Sequence, residues 1–166
     1  MLSRSAVIEH LPRLRRYARA LTGDRYAADD LVQDTLERAL SRWALLRPGS
    51  QPVLWLLTIM HNLFENQRRE AWRQVDAEQA LAELAARPEQ CDGLVLADLA
   101  RALYRLPEEQ RAVLLLVALE DLSYAETAQV LGIPVGTVMS RLARARTRLA
   151  RILDGEDAGP ELKIVK

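Results

Sequence analysis

Ser123-Tyr124-Ala125-Glu126-Thr127-Ala128-Gln129-Val130-Leu131-Gly132-Ile133-Pro134-Val135-Gly136-Thr137-Val138-Met139-Ser140-Arg141-Leu142-Ala143-Arg144 carries two helix signals back to back. Ser123 followed by Glu126 is a capping box, so a helix is predicted from there to Leu131. Gly132 stops it, because a helix end favours a residue free to turn left-handed. Pro134 opens a second helix that runs to about Leu153. Two helices joined so tightly need a small residue at their closest approach, which Ala128 supplies. They also need a branched apolar residue facing back from the second helix, which Val138 supplies. The pattern is that of a helix-turn-helix.

The second helix has two faces. Val135, Val138, Leu142, Ala145, Leu149 and Ile152 form an apolar stripe, predicted to be buried. Arg141, Arg144, Arg148 and Arg151 repeat beside it, Arg146 adds a fifth charge, and no acid occurs from residue 127 through 153. Gly136, Thr137, Met139 and Ser140 keep the first turns small or uncharged, so the helix N-terminus can approach phosphates and base edges. Arg141 and Arg144 can pair with guanine or hold phosphate. A solvated arginine face on a helical hairpin would explain the charges alone. The capping box, the Ala-Gly-Val spacing and the acid-free helix together favour DNA binding.

Outward from this motif every periodic segment is helical, and the fold class is all-α. Residues 94–105 carry Leu94, Leu96, Leu99 and Leu103, and Pro107 opens a helix whose first turn holds Glu108 and Glu109. Three further helices are predicted upstream, at about 3–21, 25–46 and 51–73. The first has Val7, Leu11, Leu14, Ala18 and Leu21 on one face; the second has Leu31, Thr35, Ala39 and Trp43. Asp24 can cap the second and Ser50 the third, where Pro52 is tolerated in the first turn.

The chain has 166 residues with 23 basic and 23 acidic side chains, but the charge is not evenly spread. Residues 1–73 carry a net +4, 74–93 a net −4, 94–153 a net +2 and 154–166 a net −2. The reading is two small helical domains, 1–73 and 94–153, joined by a flexible linker over 74–93 and followed by an acidic tail. With few apolar anchors, that linker should leave the two modules mobile in the free protein, and the modules are expected to pack together when the protein is inhibited. One cysteine, Cys91, excludes a disulfide framework, and two histidines with one cysteine are too few for a closed zinc site. No cofactor or metal is expected. No apolar run reaches the roughly 20 residues that span a bilayer, and the N-terminus lacks a signal peptide's apolar core. A cytoplasmic protein is expected.

Residues 132–146 resemble the −35 recognition helix of the extracytoplasmic-function (ECF) sigma factors of the sigma-70 family, and Leu106-Pro107-Glu108-Glu109-Gln110-Arg111 resembles the lead-in to it. Ala28-Asp29-Asp30-Leu31-Val32-Gln33-Asp34-Thr35-Leu36-Glu37-Arg38-Ala39 resembles their polymerase-binding helix. Leu54-Trp55-Leu56 through Ile59 and Asn62-Leu63, ending at Arg68-Arg69, resembles their −10 recognition helix. The match spans about residues 5–153 in the family's order. Met139, Asn66 and His61 stand where lysine, aspartate and arginine are common, which bears on base preference.

The resemblance implies a region-2 domain at 1–73 that binds core polymerase and the −10 element, and a region-4 domain at 94–153 that binds the −35 element. It implies a transcription initiation factor, not an enzyme. Its partners are core RNA polymerase, through the clamp helices, and promoter DNA. An anti-sigma factor holds such proteins inactive until a stress signal arrives. The polymerase-binding residues it implies are Asp29, Asp30, Gln33, Asp34 and Glu37, an acidic face that could otherwise be a solvated surface. On the third helix Asn62, Asn66, Arg69 and Arg73 form a stripe at 4-3-4 spacing. Its amides suit base edges and its guanidinium groups suit bases or phosphate. For the −35 element the candidates are Gly136, Thr137, Ser140, Arg141, Arg144 and Arg148. Trp43 and Trp55 read as core and Trp72 as surface.

Two other classes are weighed. A sigma-like interaction module would sequester a regulator without touching DNA, but the arginines of the last helix argue against it. A small helical metal-dependent hydrolase would need His61 together with Asp29 and Asp30, and no paired-ligand motif supports it.

Overall fold

The computed structural model describes residues 4–74 and 94–155, so the linker and most of the acidic tail fall outside it. Among the described residues the chain is helical: α1 Arg4–Thr22, α2 Arg25–Ser41, a 3₁₀ turn Trp43–Leu45, α3 Pro52–Gln74, α4 Leu94–Tyr104, α5 Glu108–Ala118, α6 Tyr124–Leu131 and α7 Val135–Leu153.

The predicted caps form. Asp24 accepts a hydrogen bond from the Tyr26 amide at the start of α2. Ser123 and Glu126 close a complete capping box, and Gly132 sits left-handed at φ 65° after α6. Other details differ. α3 begins at Pro52, so Gln51, whose carbonyl accepts from the Trp55 amide, occupies the capping position in place of Ser50. α2 ends at Ser41, not near 46, because the Ser41 hydroxyl takes the Arg38 carbonyl and the Arg42 amide turns to the Ala39 carbonyl, tightening the last turn. Trp43 is therefore half-buried in the 3₁₀ turn, where its ring meets Trp55 edge to face at 5.9 Å. Val135, expected in the buried stripe, is exposed, and so is Leu99. Ala102 is buried on α4, and α7 buries Val138, Leu142, Ala145 and Ile152.

The two modules pack together. The helix-turn-helix has its own core of Ala102, Leu106, Val113, Leu114, Ala128, Val138, Leu142 and Ala145. A second core joins Leu14, Tyr17, Leu31, Leu57 and Met60 of α1–α3 to Ala112, Leu115, Leu116, Leu122 and Val130 of the C-terminal half. α5 makes this possible, since every residue from Arg111 to Leu116 is buried. A helix apolar all round needs cover on both sides, and α1 supplies the second, with α3 packed on α6 beside it.

Buried ions fix the register of that contact. Glu120, 2% exposed, receives Arg13 Nε at 2.8 Å and Arg16 Nη2 at 3.1 Å. Arg13 also donates to the Glu120 carbonyl and Arg16 to that of Leu119. Arg111 donates to the Leu21 carbonyl at 3.1 Å, near the end of α1, and to Leu106 at 3.2 Å. The Tyr104 ring stacks 4.6 Å from its guanidinium group.

That ring lies over Gly23, whose φ is +65° and where a Cβ would fall 1.8 Å from the Tyr104 Cζ. Gly23→Ala should therefore strain the turn and push Tyr104 off Arg111, lowering stability by about 1–3 kcal/mol. Urea denaturation measures this; a midpoint equal to wild type would mean that the ring moves aside freely.

Candidate nucleic-acid interface

Three surfaces take shape from these helices. On α2, Asp29, Asp30, Gln33 and Glu37 are exposed together. Tyr26, 79% exposed, and Leu40 stand on the same face at its two ends. Asp34 departs from the expected outer face: it is half-buried at the edge towards α3 and accepts a hydrogen bond from Gln67 at 2.8 Å.

On α3, Asn62, Asn66, Arg69 and Arg73 are all exposed in one stripe. His61 beside them is buried, and burial pulls its pKa below the ordinary histidine value, so the ring is neutral near pH 7. Asp29 and Asp30 face outward on α2, and among the described residues no three His, Cys, Asp or Glu come together as metal ligands. Trp72 is exposed, as expected, and Trp55 packs half-buried against the core.

On α7, Gly136, Ser140, Arg144 and Arg148 are exposed, and Thr137 is half-buried. Arg141 is half-buried too and pairs with Glu109 at 3.3 Å. Gly136 has nothing within 4 Å of where a Cβ would stand, so the opening of α7 is clear of neighbouring side chains. The helix-turn-helix is built as expected: Ala128 and Val138 are buried in one cluster, with the turn at Gly132 between them.

The second and third surfaces meet. A cleft of about 620 Å³ between α3 and the C-terminal half is lined by Asn62, Asn66 and Arg69 on one side and Arg141 on the other. Arg38 and Arg68, neither of which was among the candidate site residues, line it as well.

Residues 7–61 match the family described as the sigma2 domain of PhyR, and residues 96–149 match sigma-70 region 4. The ECF RNA polymerase sigma factor EcfG of Rhodopseudomonas palustris is 41% identical over 163 residues, 95% of this chain and 90% of that protein. The chain belongs to the ECF sigma factors. SigM of Mycobacterium tuberculosis is 35% identical over 155 residues, 93% of this chain and 78% of its own. Among solved structures, the sigma factor RpoE in complex with the anti-sigma factor NepR from Bartonella quintana superposes with a TM-score of 0.77 at 35% identity. It covers 90% of this chain and 95% of that one.

This sigma factor is thus a transcription initiation factor and not an enzyme. The region-4 match encloses the helix-turn-helix and most of α7. The region-2 match takes in most of α1, all of α2 and the first ten residues of α3, ending at His61 just before the Asn62 stripe. Among the described residues, no helix of the sigma factor is long and apolar enough to cross a membrane.

Proposed function

We propose how this sigma factor divides its work, with the exposed arginine face of α7 as the observation that carries the reading. Residues 1–73 and 94–153 act as the polymerase-and-−10 module and the −35 module, joined through 74–93. The face of Asp29, Asp30, Gln33 and Glu37, with Asp34 at its edge, docks on the clamp helices of core RNA polymerase. Like charges one turn apart, as at Asp30 and Asp34, weaken a lone helix slightly, which is reasonable where a basic partner relieves them. Asn62, Asn66, Arg69 and Arg73 take the melted −10 strand. The opening of α7, from Gly136 and Thr137 through Ser140, Arg141 and Arg144 to Arg148, enters the −35 major groove. The work is done in the cytoplasm, where core polymerase is.

The packed arrangement supports an account of inhibition. The two promoter elements are roughly 25 base pairs apart, about 85 Å at 3.4 Å per pair. Arg141 and the Asn62 stripe share one cleft, so both elements cannot be read from it at once. The packed form is the one an anti-sigma factor would hold, in keeping with the likeness to RpoE in its complex with NepR. Arg141 must leave Glu109 to meet DNA; Arg144 is already free to do so.

Arg141→Ala and Arg144→Ala in the polymerase holoenzyme should each weaken promoter binding by about 1–3 kcal/mol, with binding to core intact. A base-reading arginine will also relax preference at one position, whereas a phosphate-holding one lowers the salt slope by about one unit. Affinity unchanged in both variants would remove α7 as the reader.

A further inference from the structure

The cleft beside α3 is lined by two arginines that none of the three surfaces uses, Arg38 and Arg68. α2 and α3 run antiparallel: Asp34 meets Gln67, and in the 3₁₀ turn just beyond α2 Trp43 meets Trp55, earlier on α3. Arg38, one turn beyond Asp34, therefore lies level with the turn from Asn62 to Asn66. It is exposed and lines the same cleft as these two amides and Arg69.

The charges of the cleft sort the four arginines into two pairs. Arg68 is matched by Glu65 and Glu108, and Arg141 by Glu109. Among the described residues Arg38 and Arg69 have no carboxylate partner. A basic residue in the last turn of α2 suits the helix dipole, but the dipole alone does not account for an unpaired guanidinium group lining a cleft beside two exposed amides. Two unpaired cations beside two carboxamides, all open to solvent, match a single nucleic-acid strand: amides meet base edges while guanidinium groups hold the backbone.

We propose that Arg38 is a positioning residue for −10 recognition, holding a backbone phosphate of the melted strand while Asn62 and Asn66 meet the bases. The inference rests on the reading of the α3 stripe as the −10 surface. It puts two functions on one helix: the outer face of α2 serves polymerase and its cleft edge serves DNA.

The test uses holoenzyme and a promoter selected by wild-type holoenzyme from random duplex DNA, both intact and premelted over the −10 element. Arg38→Ala should bind the premelted promoter about tenfold more weakly and lower the salt slope by about 0.7, with base preference and core binding unchanged. Arg38→Lys should recover most of the loss, since a point charge serves a phosphate. Arg69→Ala and Asn62→Ala are the controls. If they weaken binding while Arg38→Ala leaves affinity and salt slope untouched, the role of Arg38 is refuted and the α3 stripe stands. If all three leave binding unchanged, the −10 reading itself has failed. A loss of core binding in Arg38→Ala equal to its loss on DNA would place Arg38 in the polymerase face and overturn the proposal.

Discussion

Arg111→Ala is expected to lower the stability of the sigma factor by about 3–5 kcal/mol, as removal of one member of a buried charged network does. The side chain is 3% exposed, and burial lowers its pKa, the mark of a cation cut off from water. What compensates is local: two backbone carbonyls, Leu21 and Leu106, and the face of Tyr104. Without Arg111 both carbonyls lose this donor and a cavity opens between α1 and α5. Since one carbonyl belongs to each module, the loss should loosen their contact as well as the fold. Arg111→Lys keeps the charge but not the fork that spans two acceptors, so it should recover only part. Denaturation midpoints measure both. A wild-type midpoint in Arg111→Ala would show that the modules are not tied at this point.

The second large effect is on binding and leaves the fold alone. In the double variant Asp30→Lys with Glu37→Lys, core polymerase should bind at least about 100-fold more weakly, because like charges set against each other at an interface cost several kcal/mol. Both positions are exposed, so thermal stability should change by no more than about 0.5 kcal/mol. Titration of labelled core polymerase gives the affinity and calorimetry the stability. Unchanged core affinity would return this face to the role of a solvated surface.

The contrast between these two sites shows what the sequence makes legible. Helix starts and stops at Asp24, Ser123 and Gly132 were readable because each is settled within a few residues. The acidic face and the arginine row were readable because helical periodicity places them without knowledge of any partner. The contact between modules was not readable in the same way. Arg111 and Glu120 meet acceptors and donors 90 to 107 residues distant in the chain, and on a helix surface they look like ordinary charges. One signal was present: Ala112-Val113-Leu114-Leu115-Leu116-Val117 is apolar all round, more than a small domain covers alone. Arg38 was missed for a related reason. Periodicity sets it at the edge of the acidic face, and only the antiparallel pairing of α2 with α3 brings it beside Asn62. Trp43 was misplaced because the early end of α2 depends on a serine hydroxyl competing for a carbonyl, which hydrophobic spacing does not register.

Run-off transcription with purified core polymerase tests the central claim most directly. Core alone should give no specific transcript from promoters selected with the holoenzyme. Addition of the sigma factor should give one defined start, lost with the Asp30→Lys and Glu37→Lys pair and reduced by Arg144→Ala. No transcript from any selected promoter, together with no binding to core polymerase, would contradict the account.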